Sequence, residues 1–300
     1  MNCIVTGGAG FIGSHLVDNL IELGHKVIVI DDESANENEY FYWNSKAENY
    51  KYDICDYDNI SKLFKNVDWV FHLAARSRIQ PSIIDPTDTI KVNCQGTENI
   101  LHACKENNIE KIIFSSSSSI YGLKNKAPHK ETMNRDCLNP YSISKVMCED
   151  LCKVYYELYD LKVVILRYFN VFGERQPTRG EYAPIVGKFL KLKNLNKKLT
   201  VVGDGMQKRD YTYVKDVVHA NILAAKKNNV GNCEIINIGS GKNYSVIDIA
   251  KIIDSPFEYV PERKGEAYET LACIEKAKKY LNWQPLISLK DWMQSKGQYI

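Results

Sequence analysis

The order of apolar segments predicts an α/β chain, with a doubly wound parallel sheet followed by a smaller C-terminal α/β unit. Three observations carry this reading. Short, nearly continuous apolar runs recur at residues 3–6, 27–30 and 69–73. Stretches of helical periodicity separate them, and unbroken apolar runs in that setting are strands covered on both faces. The first run also enters a glycine-rich turn at residues 7–13, and a helical pattern opens straight after it.

In chain order, residues 3–6 form the first strand. Residues 14–23 form a helix with Leu16, Val17, Leu20 and Ile21 on one side, closed by Gly24. Residues 27–30 are the second strand. Central strands follow at 69–73, 111–115 and 163–167, with helices at 60–64, 90–107 and 141–159 between them. Beyond Arg167 the alternation changes. Residues 199–202 and 234–238 read as strands, and 184–192, 214–225 and 246–253 as helices. One unit is expected to take residues 1–168 and about 204–232, the other about 169–203 and 233–300, interleaved along the chain. The polar stretch 33–39 reads as a flexible surface loop.

The 300 residues are 44% hydrophobic and 25% charged, with a net charge of +2. The chain is long enough for a large core, and its charge gives no case for a nucleic-acid or acidic-membrane partner. No apolar run approaches the roughly 18 residues of a membrane helix. The first residues show no basic region, apolar stretch and cleavage site of a signal peptide. The nine cysteines include no C-x-x-C pair. Cys148 and Cys152, one helical turn apart, read as core thiols rather than metal ligands. The expectation is a cytoplasmic, reduced protein without a bound metal.

Gly8-x-Gly10-x-x-Gly13 follows a strand and opens a helix. In that Rossmann setting the glycines admit a pyrophosphate to the backbone, and the helix N–H groups bind it. Gly7, Gly10, Phe11, Ile12 and Gly13 would face it. The second strand ends in Asp31, about 20 residues further on, where a carboxylate binds the adenosine ribose. Asp32 beside it shares or takes over that role. A carboxylate there repels a 2′-phosphate, which favours NAD over NADP.

Tyr141-Ser-Ile-Ser-Lys145 places a phenol and an ammonium on one helix face. An ammonium about 5 Å away, at an effective dielectric near 20, favours the phenolate by roughly 3 kcal/mol. That is about two pKa units, enough for a general base near neutral pH.

Further segments stand in order with these motifs: 52–56, 72–75, 93–97, 115–122, 167–173, 202–211, 237–239 and 261–266. Nearly end to end, the chain resembles the extended short-chain dehydrogenase/reductases, in particular their NAD-dependent nucleotide-sugar epimerase and dehydratase group. The resemblance implies that Asp53 and Ile54 hold the adenine edge. It implies that Leu73, Ala74 and Ala75 line the cofactor cleft, with Asn93 near it, and that Ser115 and Tyr168 lie toward the nicotinamide. Ser117, four before Tyr121, matches the hydroxyl that completes the catalytic set with Tyr141 and Lys145. Asn170, Arg209 and Arg263 match positions at the sugar diphosphate. Two guanidiniums suit a pyrophosphate through charge-assisted, forked bonds. Ser77, Ser82, Ser118 and Val202 fall in segments that would face the rest of the substrate.

In the dehydratases of this group an Asp–Glu pair follows the catalytic Ser or Thr and acts on the leaving hydroxyl and the C5 proton. Ser118 and Ser119 stand there in this chain. The resemblance therefore implies an NAD-dependent 4-epimerase of a UDP-sugar. C4 is oxidised, the 4-keto sugar turns about its diphosphate tether, and the hydride returns to the opposite face. A 4-keto-sugar reductase on the same residues and a non-catalytic NAD-dependent regulator are the other readings; dinucleotide retained through purification favours the epimerase. Counting from the 263–266 anchor, the wall that decides on a 2-acetamido group falls at Thr270, small enough to admit it. UDP-N-acetylhexosamines are thus expected beside UDP-glucose and UDP-galactose. The runs 77–82 and 272–275 depart from the group's pattern and bear on sugar identity. The helices at 90–107 and 141–159 are expected to pair with their copies as a four-helix bundle in a homodimer. The second carries Val146, Leu151, Val154, Tyr155 and Leu158, more apolar surface than its own sheet needs.

Overall fold

Alternate residues of the first strand, β1 (Asn2–Thr6), feed two different cores. Cys3 and Val5 pack with Leu16, Val17 and Leu20 of α1 (Phe11–Glu22). Ile4 faces the other way, toward Ile60, Phe64 and Ile100. A strand buried on both faces belongs in the middle of a parallel sheet. Each of these apolar side chains contributes about 1.5–3 kcal/mol on full burial. The computed structural model describes residues 1–296, so the last four residues of the expected second unit lie outside it.

After β2 (Lys26–Ile30) and the short edge strand β3 (Glu48–Tyr50), α2 (Tyr57–Ile60) leads to β4 (Trp69–His72). Two short helices follow, α3 (Ile79–Ile84) and α4 (Pro86–Ile90), and a π-helical segment, Lys91–Gln95, precedes α5 (Gly96–Glu106). Then come β5 (Lys111–Ser117), the long α6 (Pro140–Tyr159), β6 (Val163–Tyr168), β7 (Asn170–Phe172) and α7 (Ile185–Asn194). The remainder is β8 (Leu199–Val202), β9 (Lys208–Tyr213), α8 (Val214–Lys226), β10 (Asn232–Ile238), β11 (Asn243–Ser245), α9 (Val246–Ile253), β12 (Phe257–Val260), α10 (Glu275–Leu281) and α11 (Leu289–Lys296).

The main sheet has seven strands in the order β10-β6-β5-β4-β1-β2-β3, each pairing parallel. A three-stranded sheet, β11-β9-β7, and a parallel pair, β12-β8, complete the molecule. The expected division of the chain needs correction at two places. β10 joins the main sheet beside β6, because Ile236 and Ile238 enter its core, and Ala277, Leu281 and Trp283 pack there too. Residues 232–238 and 275–283 therefore go with the large sheet. Conversely, β9 lies inside the segment assigned to the large unit but pairs with β7 and β11. The expected helix at 90–107 is not one regular helix but changes hydrogen-bonding pattern at Gly96. The stretch 33–39 is no plain surface loop: Asn38 is buried, and the Arg179 amide donates to the Glu37 carbonyl at 3.1 Å.

α6 is placed by a buried ion pair. Arg167 of β6 donates to Glu149 of α6 at 2.8 and 2.7 Å, and Ser116 Oγ donates to the same carboxylate at 2.6 Å. At its N-terminus, Asn139 and Ser142 form a reciprocal capping box with Pro140 in the first turn. Cys148 and Cys152 are both buried in the core. Among the described residues no helix is long and apolar enough to cross a membrane.

Candidate active site

In the main sheet β1 stands between β2 and β4, where the strand order reverses. Open α/β sheets bind ligands at the carboxyl ends of the strands at such a switch point. A cavity of about 490 Å³ lies there. The turn after β1 forms part of its wall. Gly7 has φ +68°, and a Cβ on it would sit 2.8 Å from the Ala74 nitrogen. A Cβ on Gly13 would collide with the Gly7 carbonyl. Gly10 occupies the N-cap of α1 and offers its first turn no side-chain acceptor. Asp31 follows β2 and accepts from the Ala9 amide at 3.1 Å and the Glu33 amide at 2.8 Å; burial raises its carboxyl above the ordinary range. Asp32 caps its own turn through Ser34.

A buried histidine ties this turn to the next strand. The Leu73 and Ala74 amides both donate to Thr6 Oγ1 at 3.2 Å. The Thr6 proton is then directed to His72 Nδ1 at 2.7 Å, and His72 Nε2 faces Thr97 Oγ1 at 2.9 Å. Burial pushes the His72 pKa from 6.5 down to about 3, so the ring is neutral. Between those two values the unfolded chain binds a proton that the folded chain does not. The contribution is fully present above pH 6.5 and falls as the pH drops toward 3. Going from pH 7.5 to 5.5, this group is expected to lower the unfolding free energy by about 1.4 kcal/mol. Urea unfolding of wild type and His72→Asn at both pH values checks this. A pH difference that survives the substitution would assign the effect to His15, His25 or His129, whose pKa values burial also lowers.

At the ends of β5 and β6 the polar groups converge. Lys145 is buried, donates to the Ser115 carbonyl at 2.9 Å and lies 5.0 Å from the Phe114 ring centroid. Tyr141, one turn earlier on α6, anchors its amide on Ser82 Oγ at 3.2 Å. Ser117 Oγ accepts from the Ser119 amide at 3.1 Å. Two tyrosines of the cavity wall differ here. Tyr168 accepts from Ser115 Oγ at 3.0 Å and donates to Asn221 Oδ1 at 2.8 Å, and burial pushes its phenol up to about 12. It stays neutral, and its proton is already committed. The Tyr141 phenol makes no hydrogen bond among the described residues.

The remaining wall comes from the small sheets. Arg209 on β9 reaches Glu266 at 3.5 Å and the Tyr268 carbonyl at 3.2 Å. Arg263 donates to the Glu181 carbonyl at 3.1 Å and lies over the Tyr182 ring. Thr270 is buried, and its hydroxyl accepts from the Asp210 amide at 3.3 Å.

Nearly all residues singled out from the sequence line this one cavity, including Ile54, Ala75, Ser77, Ser118, Asn170 and Val202. Three do not. Asp53 is exposed and its carboxylate accepts from the Cys55 amide. Ser82 is spent on the Tyr141 amide and the Ile79 carbonyl. Asn93 is buried behind the wall, bonding Arg76 through both its oxygen (2.7 Å) and its nitrogen (3.1 Å), and Ser144 at 2.8 Å. Sequence reasoning missed Glu37, Asn38, Tyr182 and Gln207, which also line the cavity. For Tyr182 a signal existed, since Pro177, Gly180 and Pro184 mark a long loop directly after the 167–173 motif.

A parallel sheet with a tight glycine turn at its switch point, and a Tyr and Lys side by side on a capped helix, defines an extended short-chain dehydrogenase/reductase. Residues 3–239 match the sequence model of the NAD-dependent epimerase/dehydratase family, and the chain belongs to that family. The chain is similar to the UDP-glucose 4-epimerase of Thermotoga maritima, solved with UDP-glucose: TM-score 0.92 and 36% identity over 100% of this chain and 98% of that one. The UDP-N-acetylglucosamine 4-epimerase of Methanobrevibacter ruminantium, in complex with UDP-N-acetylmuramic acid, gives 0.90 and 35% over 100% and 99%. The UDP-glucuronic acid 4-epimerase of Bacillus cereus, with UDP-glucuronic acid and NAD, gives 0.90 and 32% over 100% and 98%.

Proposed function

We propose that the chain is an NAD-dependent UDP-sugar 4-epimerase with Tyr141, Lys145 and Ser117 as its catalytic residues. The observation that carries this is the buried Tyr141–Lys145 pair facing a serine run with no carboxyl at positions 118 and 119. The cavity fits NAD: Gly7 and Gly13 close a turn that a Cβ would fill, the first turn of α1 lacks a side-chain cap, and Asp31 follows β2. Gly10, Phe11, Ile12 and Asp31 would hold it, with Ile54, Leu73, Ala74 and Ala75 along its length. When bound, NAD supplies the hydride acceptor for C4. Tyr141 would take the C4 hydroxyl proton and give it back, and Ser117 would orient that hydroxyl. Lys145, held on the Ser115 carbonyl, would place its cation beside that proton transfer. Arg209 and Arg263 would take the diphosphate. Thr270 is a small wall, which supports acceptance of UDP-N-acetylhexosamines beside UDP-glucose and UDP-galactose.

Incubation with these four sugar nucleotides tests the reading. The expected products differ only at C4, and the purified protein is expected to retain dinucleotide absorbance. A 4-keto-6-deoxy product would instead assign a dehydratase.

A cytoplasmic homodimer is part of the same proposal. Support comes from an outward apolar stripe on α6: Ile143, Met147, Val154 and Leu158 are 42–68% exposed. Of the residues first named for this face, Tyr155 turns inward and donates to Glu98 at 2.9 Å, and Val146 and Leu151 pack against the core. The apolar residues of α5, such as Ile100 and Leu101, are spent inward. Sedimentation at micromolar protein is expected to give twice the chain mass, and a monomer mass removes the dimer.

A further inference from the structure

Four arginines line the cavity: Arg76, Arg78, Arg209 and Arg263. Three have carboxylate partners, Asp88, Glu266 and Glu181 respectively for Arg76, Arg209 and Arg263. Arg78 has none. Its Nε is buried without an acceptor, and among the described residues its guanidinium makes no hydrogen bond and no ion pair. Desolvation works against its charge, and the groups that favour that charge are Glu37 and Tyr141. Its backbone is not free to swing away. The Ser82 amide donates to the Arg78 carbonyl at 3.2 Å, and Ser82 Oγ accepts from the Tyr141 amide at 3.2 Å. Arg78 is therefore tied to the residue proposed to act at C4. Ser119 Oγ, in the same cavity wall, is also buried without a partner.

A guanidinium carries five donors and no acceptor, and its matched ligand is a carboxylate or phosphate oxygen pair. A neutral sugar offers hydroxyls, which do not neutralise an unpaired cation at the cavity wall. The substrate diphosphate already has Arg209 and Arg263. With Tyr141 at the C4 oxygen, the substituent nearest in the ring that can be anionic is C6, borne on the carbon next to C4. We infer that Arg78 is the recognition group for a C6 carboxylate, so that the preferred substrate is a UDP-hexuronate; this rests on the epimerase reading above. Ser119 supplies a hydroxyl donor in the same wall. The competing source of an anion is the pyrophosphate of the dinucleotide, and the experiment separates the two.

Initial rates with UDP-glucuronate and UDP-glucose are measured for wild type, Arg78→Gln and Arg78→Lys, together with dinucleotide bound per chain. For wild type, kcat/KM for UDP-glucuronate is expected to exceed that for UDP-glucose by about tenfold or more. Arg78→Gln is expected to lower that ratio by about 100-fold, mainly through KM for the uronate, with dinucleotide content unchanged. Arg78→Lys keeps the charge without the fork and falls between. The guanidinium holds no protein group, so its loss orphans nothing and the variants fold. Turnover of UDP-glucose without UDP-glucuronate would overturn this inference and leave the epimerase reading standing. A ratio unmoved by Arg78→Gln, or loss of dinucleotide from that variant, overturns it as well, the latter giving Arg78 to the cofactor phosphates. If no UDP-sugar reacts at C4, the epimerase reading fails and takes this inference with it.

Discussion

Tyr141→Phe is expected to cut kcat by at least about two orders of magnitude, the usual scale for a positioned acid or base, with KM and dinucleotide content close to wild type. The reason lies in two phenols of the cavity wall, Tyr141 and Tyr168. Tyr168 is engaged at both its lone pair and its proton, and burial holds its phenol at about 12. Tyr141 has no such commitments, and its neighbour one turn on is the buried Lys145. Lys145→Met is also expected to lower kcat, since the buried cation one turn along α6 from the phenol is lost. Pre-steady-state rates of the two variants would show both losses. A Tyr141→Phe enzyme that kept most of its rate would shift the role of base to Ser117 or to water.

The parts of this molecule that were legible in the sequence are those where one local rule decides. Residues 3–5 and 27–30 are apolar throughout because both faces are covered, and the glycine turn carries its spacing in the residues themselves. Edges and small sheets obey no such rule. β3, Glu-Asn-Tyr, has only one strand neighbour, β2, so no burial pattern marks it. β9 begins Lys-Arg-Asp and becomes buried only from Asp210 onward, a carboxylate satisfied by the Ser240, Gly241 and Ala272 amides from two distant segments. No window of sequence contains those partners. β10 reads as a strand, but its membership in the large sheet depends on β6, which lies far upstream. The site followed the same division. Motif residues such as Tyr141 and Gly13 were found. Asn93 was recognised as near the cofactor cleft, but its work, joining Arg76 to Ser144 from behind the wall, appears only once three elements meet. Arg78 stood in a run already marked as departing from the group's pattern, yet its lack of a counter-ion is a property of the packed cavity alone.

Glu149→Ala is expected to lower the unfolding free energy by about 3–5 kcal/mol, the cost of stripping one partner from a buried ion pair. Glu149 and Arg167 are 1% and 2% exposed, so water does not replace the lost carboxylate. The substitution strands a forked guanidinium, removes the acceptor of Ser116 Oγ, and leaves Arg135 without the more distant of its two carboxylates. The orphaned Arg167 would retain only Tyr121, whose hydroxyl it meets at 2.9 Å and which is itself committed to Asn237 at 2.7 Å. Against a total stability of about 5–15 kcal/mol for a folded protein, such a loss takes a large share. The companion variant Glu149→Leu/Arg167→Met removes both charges together and is expected to recover most of the deficit, because the penalty belongs to the unpaired ion and not to the missing bond. Urea unfolding of Glu149→Leu, Arg167→Met and the double gives the coupling directly. Lys145, Glu149 and Lys153 follow one another at four-residue steps, so the pair also sets the rotation of α6 that aims Lys145 at the Ser115 carbonyl. A Glu149→Ala protein within about 1 kcal/mol of wild type would show that α6 is held by its apolar face and its N-terminal cap alone.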